Sequence, residues 1–176
     1  MGAKNHAIVM PDADREDTLN ALVGACYGST GQRCMAISVV VLVGDASNFI
    51  PELIEKSKKL TVGKGADDHD IAPLITKQSL ERIEGILANC GSDGSEIVLD
   101  GRGIKVDGHP DGNWIGPTII DHAKPGMSCY DDEIFGPVMV ICRAKTLDEA
   151  VNLINSNKYG NGVAIFTRSG GHARKF

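Results

Sequence analysis

The sequence has little of what marks several common classes of protein. Its 176 residues include 5% aromatic residues and one Trp, and no Lys/Arg-rich block offsets a net charge of −5. Nucleic acid and anionic membrane surfaces are therefore not expected as partners. No apolar run approaches the ~20 residues that cross a bilayer, so a membrane partner is not expected either.

The usual motifs of metal sites, disulfide frameworks and nucleotide-binding folds are also missing. The five cysteines form no Cys-x-x-Cys pair and are odd in number, which favours a reducing compartment. The five histidines lie in separate segments without ligand spacing, so no metal site is expected. The sequence contains no GxGxxG, GxxxxGK[ST], HExxH or GxSxG pattern.

What is present is a regular alternation of strand-like and helix-like spacing of apolar residues. This spacing predicts strands over 5–10, 38–43, 96–99, 138–142 and 163–166, and helices over 14–28, 48–60, 76–88 and 147–154. Such alternation predicts one α/β domain with a mostly parallel sheet flanked by helices. The segment 100–114 is rich in Gly and Asp, which predicts a surface excursion or a hairpin.

Both ends of the chain fall at the start of an element. The first predicted strand begins at Asn5 with no cap or turn before it, and a new segment opens after the Gly170–Gly171 turn. We therefore expect the sequence to be part of a longer chain.

Cys34 follows a turn that contains Gly28 and Gly31, and Arg33 places a positive charge beside it. Exposed backbone N–H groups at such a turn can stabilise a thiolate, and also the oxyanion that forms when the sulfur attacks a carbonyl. A free cysteine is also commonly a small core residue, as expected for Cys26 on an apolar helix face. The pattern leaves both interpretations of Cys34 open.

Four segments, in order along the chain, resemble the aldehyde dehydrogenase family. They are NHAIVMPDAD from Asn5, GQRCMA around Cys34, DDEIFGPV from Asp131 and NKYGNGVAIFT from Asn157. The resemblance covers essentially the whole chain. It implies that residues 1–176 form the catalytic, cysteine-bearing domain with that family's α/β fold, and that the NAD-binding domain lies outside this chain.

The resemblance also implies roles for particular residues. Cys34 would attack the aldehyde and then carry the acyl group as a thioester, while Glu133 would hydrogen-bond the nicotinamide ribose of NAD and Phe135 would pack near its ring. Within the family the likeness is to CoA-acylating members, in which Arg33 would bind the carboxylate of a semialdehyde substrate and CoA would accept the acyl group. Arg33 as a surface residue, or as the partner of a neighbouring acid, remains open.

Two alternatives stay open at this point. Hydrolytic members use a glutamate in a motif ending in GGK, but this chain has GAK at Gly2–Lys4 and the place of the glutamate would precede Met1. Ala3 fits the CoA-dependent pattern, yet a hydrolytic enzyme that releases a free acid, or a non-catalytic isolated domain, is still possible. The chain alone is expected to be inactive; the parent enzyme is expected to be a homodimer or homotetramer, in the mitochondrial matrix of a eukaryote or otherwise in the cytoplasm.

Overall fold

A computed structural model describes residues 2–176 as one six-stranded sheet with helices on both faces. The strands are β1 (Asn5–Val9), β2 (Ile37–Val43), β3 (Glu96–Leu99), β4 (Thr118–Asp121), β5 (Val138–Ala144) and β6 (Val163–Phe166). The α-helices are α1 (Arg15–Tyr27), α2 (Ile50–Lys58), α3 (Lys77–Asn89), α4 (Ser128–Asp131), α5 (Leu147–Asn155) and α6 (Gly170–Lys175). Short 3₁₀ segments cover Gly28–Gly31, Gly44–Phe49 and Gly65–Asp67.

The sheet is mostly parallel, as predicted. Its strand order is β3-β4-β5-β2-β1-β6, and every neighbouring pair is parallel except β3 with β4. The central strand β2 is a β-branched run buried on both faces, with Val39 and Val41 in one apolar cluster and Val40 and Leu42 in the other. This double burial explains why the run is continuous rather than alternating.

Helices cover each face of the sheet through their apolar residues. On one face Leu22 of α1 and Leu53 of α2 join the cluster, and on the other Ile83 of α3 and Ala150 of α5 do so. Within residues 2–176, four of the six α-helices, α1, α3, α5 and α6, begin at a side-chain cap. At the start of α1, for example, the Asp14 carboxylate accepts a hydrogen bond from the Asp17 N–H at 3.1 Å.

Within residues 2–176, the apolar spacing did not predict one of the strands, β4, or two of the α-helices, α4 and α6. Strand β4 is four residues long and follows Gly116 and Pro117, so it carries no periodic signal of its own. It is buried throughout and lies between β3 and β5. Its antiparallel pairing with β3 makes segment 100–117 the connection between the two strands, in agreement with the predicted excursion.

The amino ends of the central strands lie along the same edge of the sheet. The register pairs Asn5 with Ile37, His6 with Val163 and Val39 with Val140. The segments that enter β1, β2, β5 and β6 therefore converge at this edge. Within residues 2–176 no helix is both long enough and apolar enough to span a membrane.

Candidate active site

The turn before Cys34 has an unusual backbone. Ser29, Thr30 and Gly31 have φ angles of 55°, 57° and 66°, all in the left-handed region. This conformation costs about 1–2 kcal/mol for each residue other than glycine, so tertiary contacts must hold it. The buried Thr30 supplies them: its hydroxyl donates to the Ala72 carbonyl at 2.9 Å and accepts from the Ala72 N–H at 3.0 Å.

Cys34 itself lies in the turn that leads into β2, with its side chain exposed. Its carbonyl oxygen accepts hydrogen bonds from Asn5 Nδ2 at 2.8 Å and from Asn161 Nδ2 at 2.6 Å. The backbone is thus fixed while the thiol remains accessible. A core role for Cys34 does not fit this exposure.

The other cysteines have different surroundings. Cys26, Cys129 and Cys142 are buried, and Cys90 is half-buried. Burial raises the pKa of Cys129 and of Cys142 to about 12, and it also raises the pKa of Cys26. Such thiols are poor nucleophiles at neutral pH because little thiolate forms.

The segment Glu133–Phe135 is held in place by contacts from two other parts of the chain. The half-buried Glu133 accepts a hydrogen bond at Oε1 from the Ala3 N–H at 3.0 Å. Arg82 of α3 donates to the carbonyl oxygens of Glu133, at 2.8 Å, and of Ile134. Phe135 has a φ of 54° and is 40% exposed, so the strained backbone presents an aromatic ring that does not join the core.

Lys4 also fixes this segment, from the start of β1. Its buried ammonium donates to the carbonyl oxygens of Cys129 at 2.8 Å and of Asp132 at 2.5 Å. Burial lowers the pKa of Lys4 to about 8, although nearby thiols and the carboxylates of Asp132 and Glu133 act in the opposite direction. Sequence reasoning missed both Lys4 and Arg82, because a single lysine or arginine in an amphipathic chain carries no signal of the carbonyls it will bind.

An open cavity of about 1030 Å³ brings the main predicted residues together. Cys34, Glu133 and Phe135 all line it, along with Arg82 and Asn161. Its size falls at the upper end of the range typical of small-molecule sites. An accessible thiol, a carboxylate and an aromatic ring therefore face one volume.

Arg33 does not line this cavity. Its Nη2 donates to the carbonyl oxygens of Gly24 at 3.1 Å and Ala25 at 2.8 Å, so the guanidinium caps the last turn of α1. A positive charge at a helix C-terminus interacts favourably with the helix dipole. Its observed partners are thus backbone carbonyls rather than a neighbouring acid.

The groups in the cavity fit the nicotinamide end of a dinucleotide. The carboxylate of Glu133 can accept hydrogen bonds from ribose hydroxyls, and the exposed ring of Phe135 offers a flat apolar surface. Residues 2–176 hold no grouping of three or more His, Cys, Asp or Glu side chains suited to a metal ion.

Comparison with known proteins gives a consistent result. The model of the aldehyde dehydrogenase family matches residues 1–176. The chain is 54% identical over 177 aligned residues to the mitochondrial methylmalonate-semialdehyde/malonate-semialdehyde dehydrogenase [acylating] of Bos taurus, and 53% identical to the methylmalonate-semialdehyde dehydrogenase [acylating] of Arabidopsis thaliana. These matches cover 100% of this chain but 33% and 29% of the relatives, so the chain spans about a third of their length.

Solved structures show the same similarity. The methylmalonate-semialdehyde dehydrogenase of Oceanimonas doudoroffii superimposes with a TM-score of 0.95 at 47% identity, over 99% of this chain and 36% of that one. A Sinorhizobium meliloti protein assigned as the same enzyme, and solved with NAD, gives a TM-score of 0.96 at 45% identity over the same shares. The α/β fold of this chain is therefore also present in these solved structures.

Proposed function

This chain belongs to the aldehyde dehydrogenase family, and we propose that the protein containing it oxidises methylmalonate or malonate semialdehyde to propionyl-CoA or acetyl-CoA. The observation that carries the proposal is the exposed thiol of Cys34 in a cavity shared with Glu133 and Phe135. The acylating relatives, at 53–54% identity over the whole chain, support the choice of substrate and of CoA as acceptor. NAD, when bound, supplies the hydride acceptor.

In this proposal Cys34 performs the covalent chemistry. Its sulfur donates an electron pair to the aldehyde carbon and forms a thiohemiacetal, which splits one difficult step into two easier ones. After oxidation the same sulfur holds the acyl group as a thioester. The thiol of CoA then displaces it, which forms the new C–S bond and returns the sulfur of Cys34. The Cys34 N–H donates no hydrogen bond within residues 2–176, so it is available to donate one to the substrate oxygen as negative charge develops there.

The remaining predicted residues bind rather than react. Glu133 would accept hydrogen bonds from the nicotinamide ribose of NAD, and Phe135 would pack near its ring. Arg33 would bind the carboxylate of the semialdehyde through the edge of its guanidinium that does not contact α1, since its two observed hydrogen bonds both use Nη2. Arginine suits this role because its planar donors match a carboxylate.

The proposal extends to organisation and location. Residues 1–176 would be the catalytic domain, paired in the whole protein with an NAD-binding domain, in a homodimer or homotetramer. The mitochondrial names of the eukaryotic relatives support the mitochondrial matrix as the location in a eukaryote.

The test is product analysis with the whole protein. Semialdehyde and NAD should yield NADH, seen at 340 nm, and mass spectrometry should find acyl-CoA only when CoA is added. Cys34→Ser should abolish turnover, whereas Cys90→Ser, at a half-buried site outside the cavity, should not. Free acid formed at the same rate with and without CoA would indicate hydrolysis instead of acyl transfer to CoA. The absence of NADH with either semialdehyde would overturn the proposal.

A further inference from the structure

Two side-chain amides converge on a single backbone oxygen beside the cavity. The carbonyl of Cys34 accepts from Asn5 Nδ2 at 2.8 Å and from Asn161 Nδ2 at 2.6 Å. Both lone pairs of this oxygen are therefore used by side chains from distant parts of the sequence. The peptide that carries this carbonyl therefore cannot rotate without breaking at least one of the two hydrogen bonds.

Asn5 is a rigid part of this arrangement. It is 2% exposed, and its amide also donates to the Ala36 carbonyl at 2.8 Å, while its Oδ1 accepts from the Gly162 N–H at 2.8 Å. All of its polar atoms are thus engaged. Asn5 joins the peptide that carries the nucleophile to the loop that precedes β6.

Asn161 differs from Asn5 because it is exposed and lines the cavity together with Cys34. Its backbone has a φ of 130°, a conformation that residues other than glycine rarely adopt. Its side chain makes one hydrogen bond within residues 2–176, to the Cys34 carbonyl. Asn161 is thus exposed and strained, and its one side-chain hydrogen bond goes to the peptide of the proposed nucleophile. Stability alone explains this combination poorly, because strained backbone tends to be kept at functional sites.

We propose that Asn161 is a positioning residue for Cys34, acting with Asn5 as its fixed partner. The inference rests on the proposed role of Cys34 as the nucleophile. Holding the carbonyl oxygen fixes the rotation of the Cys34 backbone, and hence the direction in which its β-carbon and sulfur enter the cavity. Attack on a bound carbonyl depends steeply on such geometry, whereas alkylation by a freely diffusing reagent does not.

Two substitutions in the whole protein separate positioning from stability. Asn161→Asp keeps the size of the side chain but removes the donor, and Asn161→Gly removes the amide while relieving the strain of the positive φ. Asn152→Asp, the same chemical change at an exposed position on α5, is the matched control. For each protein the measurements are kcat and KM for the semialdehyde, the rate of Cys34 alkylation by iodoacetamide, and the thermal midpoint.

We expect kcat to fall about 10-fold or more in both Asn161 variants, with KM and the alkylation rate within about 3-fold of the wild type. The thermal midpoint of Asn161→Gly should equal or exceed that of the wild type. Unchanged kcat in both variants overturns the proposal. So does a parallel fall in kcat, alkylation rate and thermal midpoint, which marks a purely structural residue.

The proposed function can fail separately, if the wild-type protein does not oxidise the semialdehyde. In that case acylation of Cys34 by 4-nitrophenyl acetate replaces kcat as the measured attack on a carbonyl, with release of 4-nitrophenolate as the signal. A ratio of acylation to alkylation that falls about 10-fold in the Asn161 variants supports positioning. An unchanged ratio overturns it.

Discussion

Gly31 and Gly136 lie so close that a β-carbon placed on Gly31 would be 2.1 Å from the carbonyl oxygen of Gly136. The segment that carries Cys34 and the segment that carries Phe135 therefore pack backbone against backbone. Gly31 also has a φ of 66°, so a side chain there would be strained even with space available. This contact helps to place the thiol and the aromatic ring at one cavity.

The first prediction concerns this contact. Gly31→Ala should lower the free energy of unfolding by about 2 kcal/mol or more, because the obstacle is backbone and cannot rotate away. It should also lower turnover, since the two segments must separate. Gly85→Ala, in open space on α3, is the control and should raise stability by about 0.5–1 kcal/mol. Thermal midpoints measure the change in stability of each variant, and a wild-type midpoint for Gly31→Ala would contradict the predicted loss of stability.

Much of the fold was predictable because the apolar spacing is strong. The run of β2 is seven residues long and rich in β-branched side chains, which favours a buried strand, and the spacing of Leu80, Ile83 and Leu87 in α3 favours a helix. Strand β4 was not predictable, since four residues between a Gly-Pro pair and a turn fit several conformations. Its place in the sheet is decided by burial against β3 and β5, a tertiary effect.

The candidate site was predictable only in part. The turn and charge pattern singled out Cys34, and the family resemblance supplied Glu133 and Phe135. Neither indicated that Asn161 would reach the Cys34 carbonyl across 127 positions of sequence, or that Arg82 would hold the Glu133 carbonyl. These contacts depend on the convergence of several loops at the amino edge of the sheet, which local spacing does not encode.

A second prediction follows from the burial of His6. Burial, the largest effect, lowers its pKa to about 4, aided by the positive charge of Lys4 and opposed by a hydrogen bond to the Lys4 carbonyl. His6 therefore binds a proton near pH 6.5 in the unfolded chain but only near pH 4 in the folded chain. The contribution of neutral His6 to the free energy of unfolding is present in full well above pH 6.5 and is lost as the pH falls towards 4. The loss between pH 6.5 and 5 is about 1.5 kcal/mol.

His6→Gln should remove this pH dependence even if it lowers stability at every pH. Thermal midpoints of both proteins between pH 5 and 7 provide the measurement. Hydrogen bonds lower the pKa of exposed carboxylates such as those of Asp14 and Glu16, so the stability that these groups contribute is lost mainly below about pH 5. Equal slopes in the two proteins would mean that another group causes the acid sensitivity.

The third prediction is that Cys34 reacts first with a limiting amount of iodoacetamide at neutral pH. Its side chain is exposed, while burial raises the pKa of the thiols of Cys129 and Cys142 to about 12. Peptide mapping after brief labelling identifies the modified residue. Cys90, which is half-buried, should follow more slowly. Preferential labelling of any other cysteine in the folded protein would rule out Cys34 as the accessible nucleophile.

The fourth prediction decides between two roles of Arg33. Its Nη2 binds the carbonyls of Gly24 and Ala25, which stabilises the end of α1, while the rest of the guanidinium makes no hydrogen bond within residues 2–176. In the proposed function the same side chain caps the helix and also binds a substrate carboxylate, although Arg33 is not among the residues that line the cavity. The two roles differ in what they do to substrates that lack the carboxylate.

In the whole protein, Arg33→Leu should lower kcat/KM for the carboxylated semialdehyde. The lost transition-state stabilisation should be about 2–4 kcal/mol, the scale for removing one partner of a charge-assisted pair. Propanal, which has no carboxylate, should lose far less. The thermal midpoint should fall slightly, because the helix end loses its cap. Arg174→Leu, at an exposed position on α6, controls for loss of surface charge and should leave both substrates unaffected. Equal losses with both substrates would limit Arg33 to the helix end, since a carboxylate-binding residue must distinguish the two.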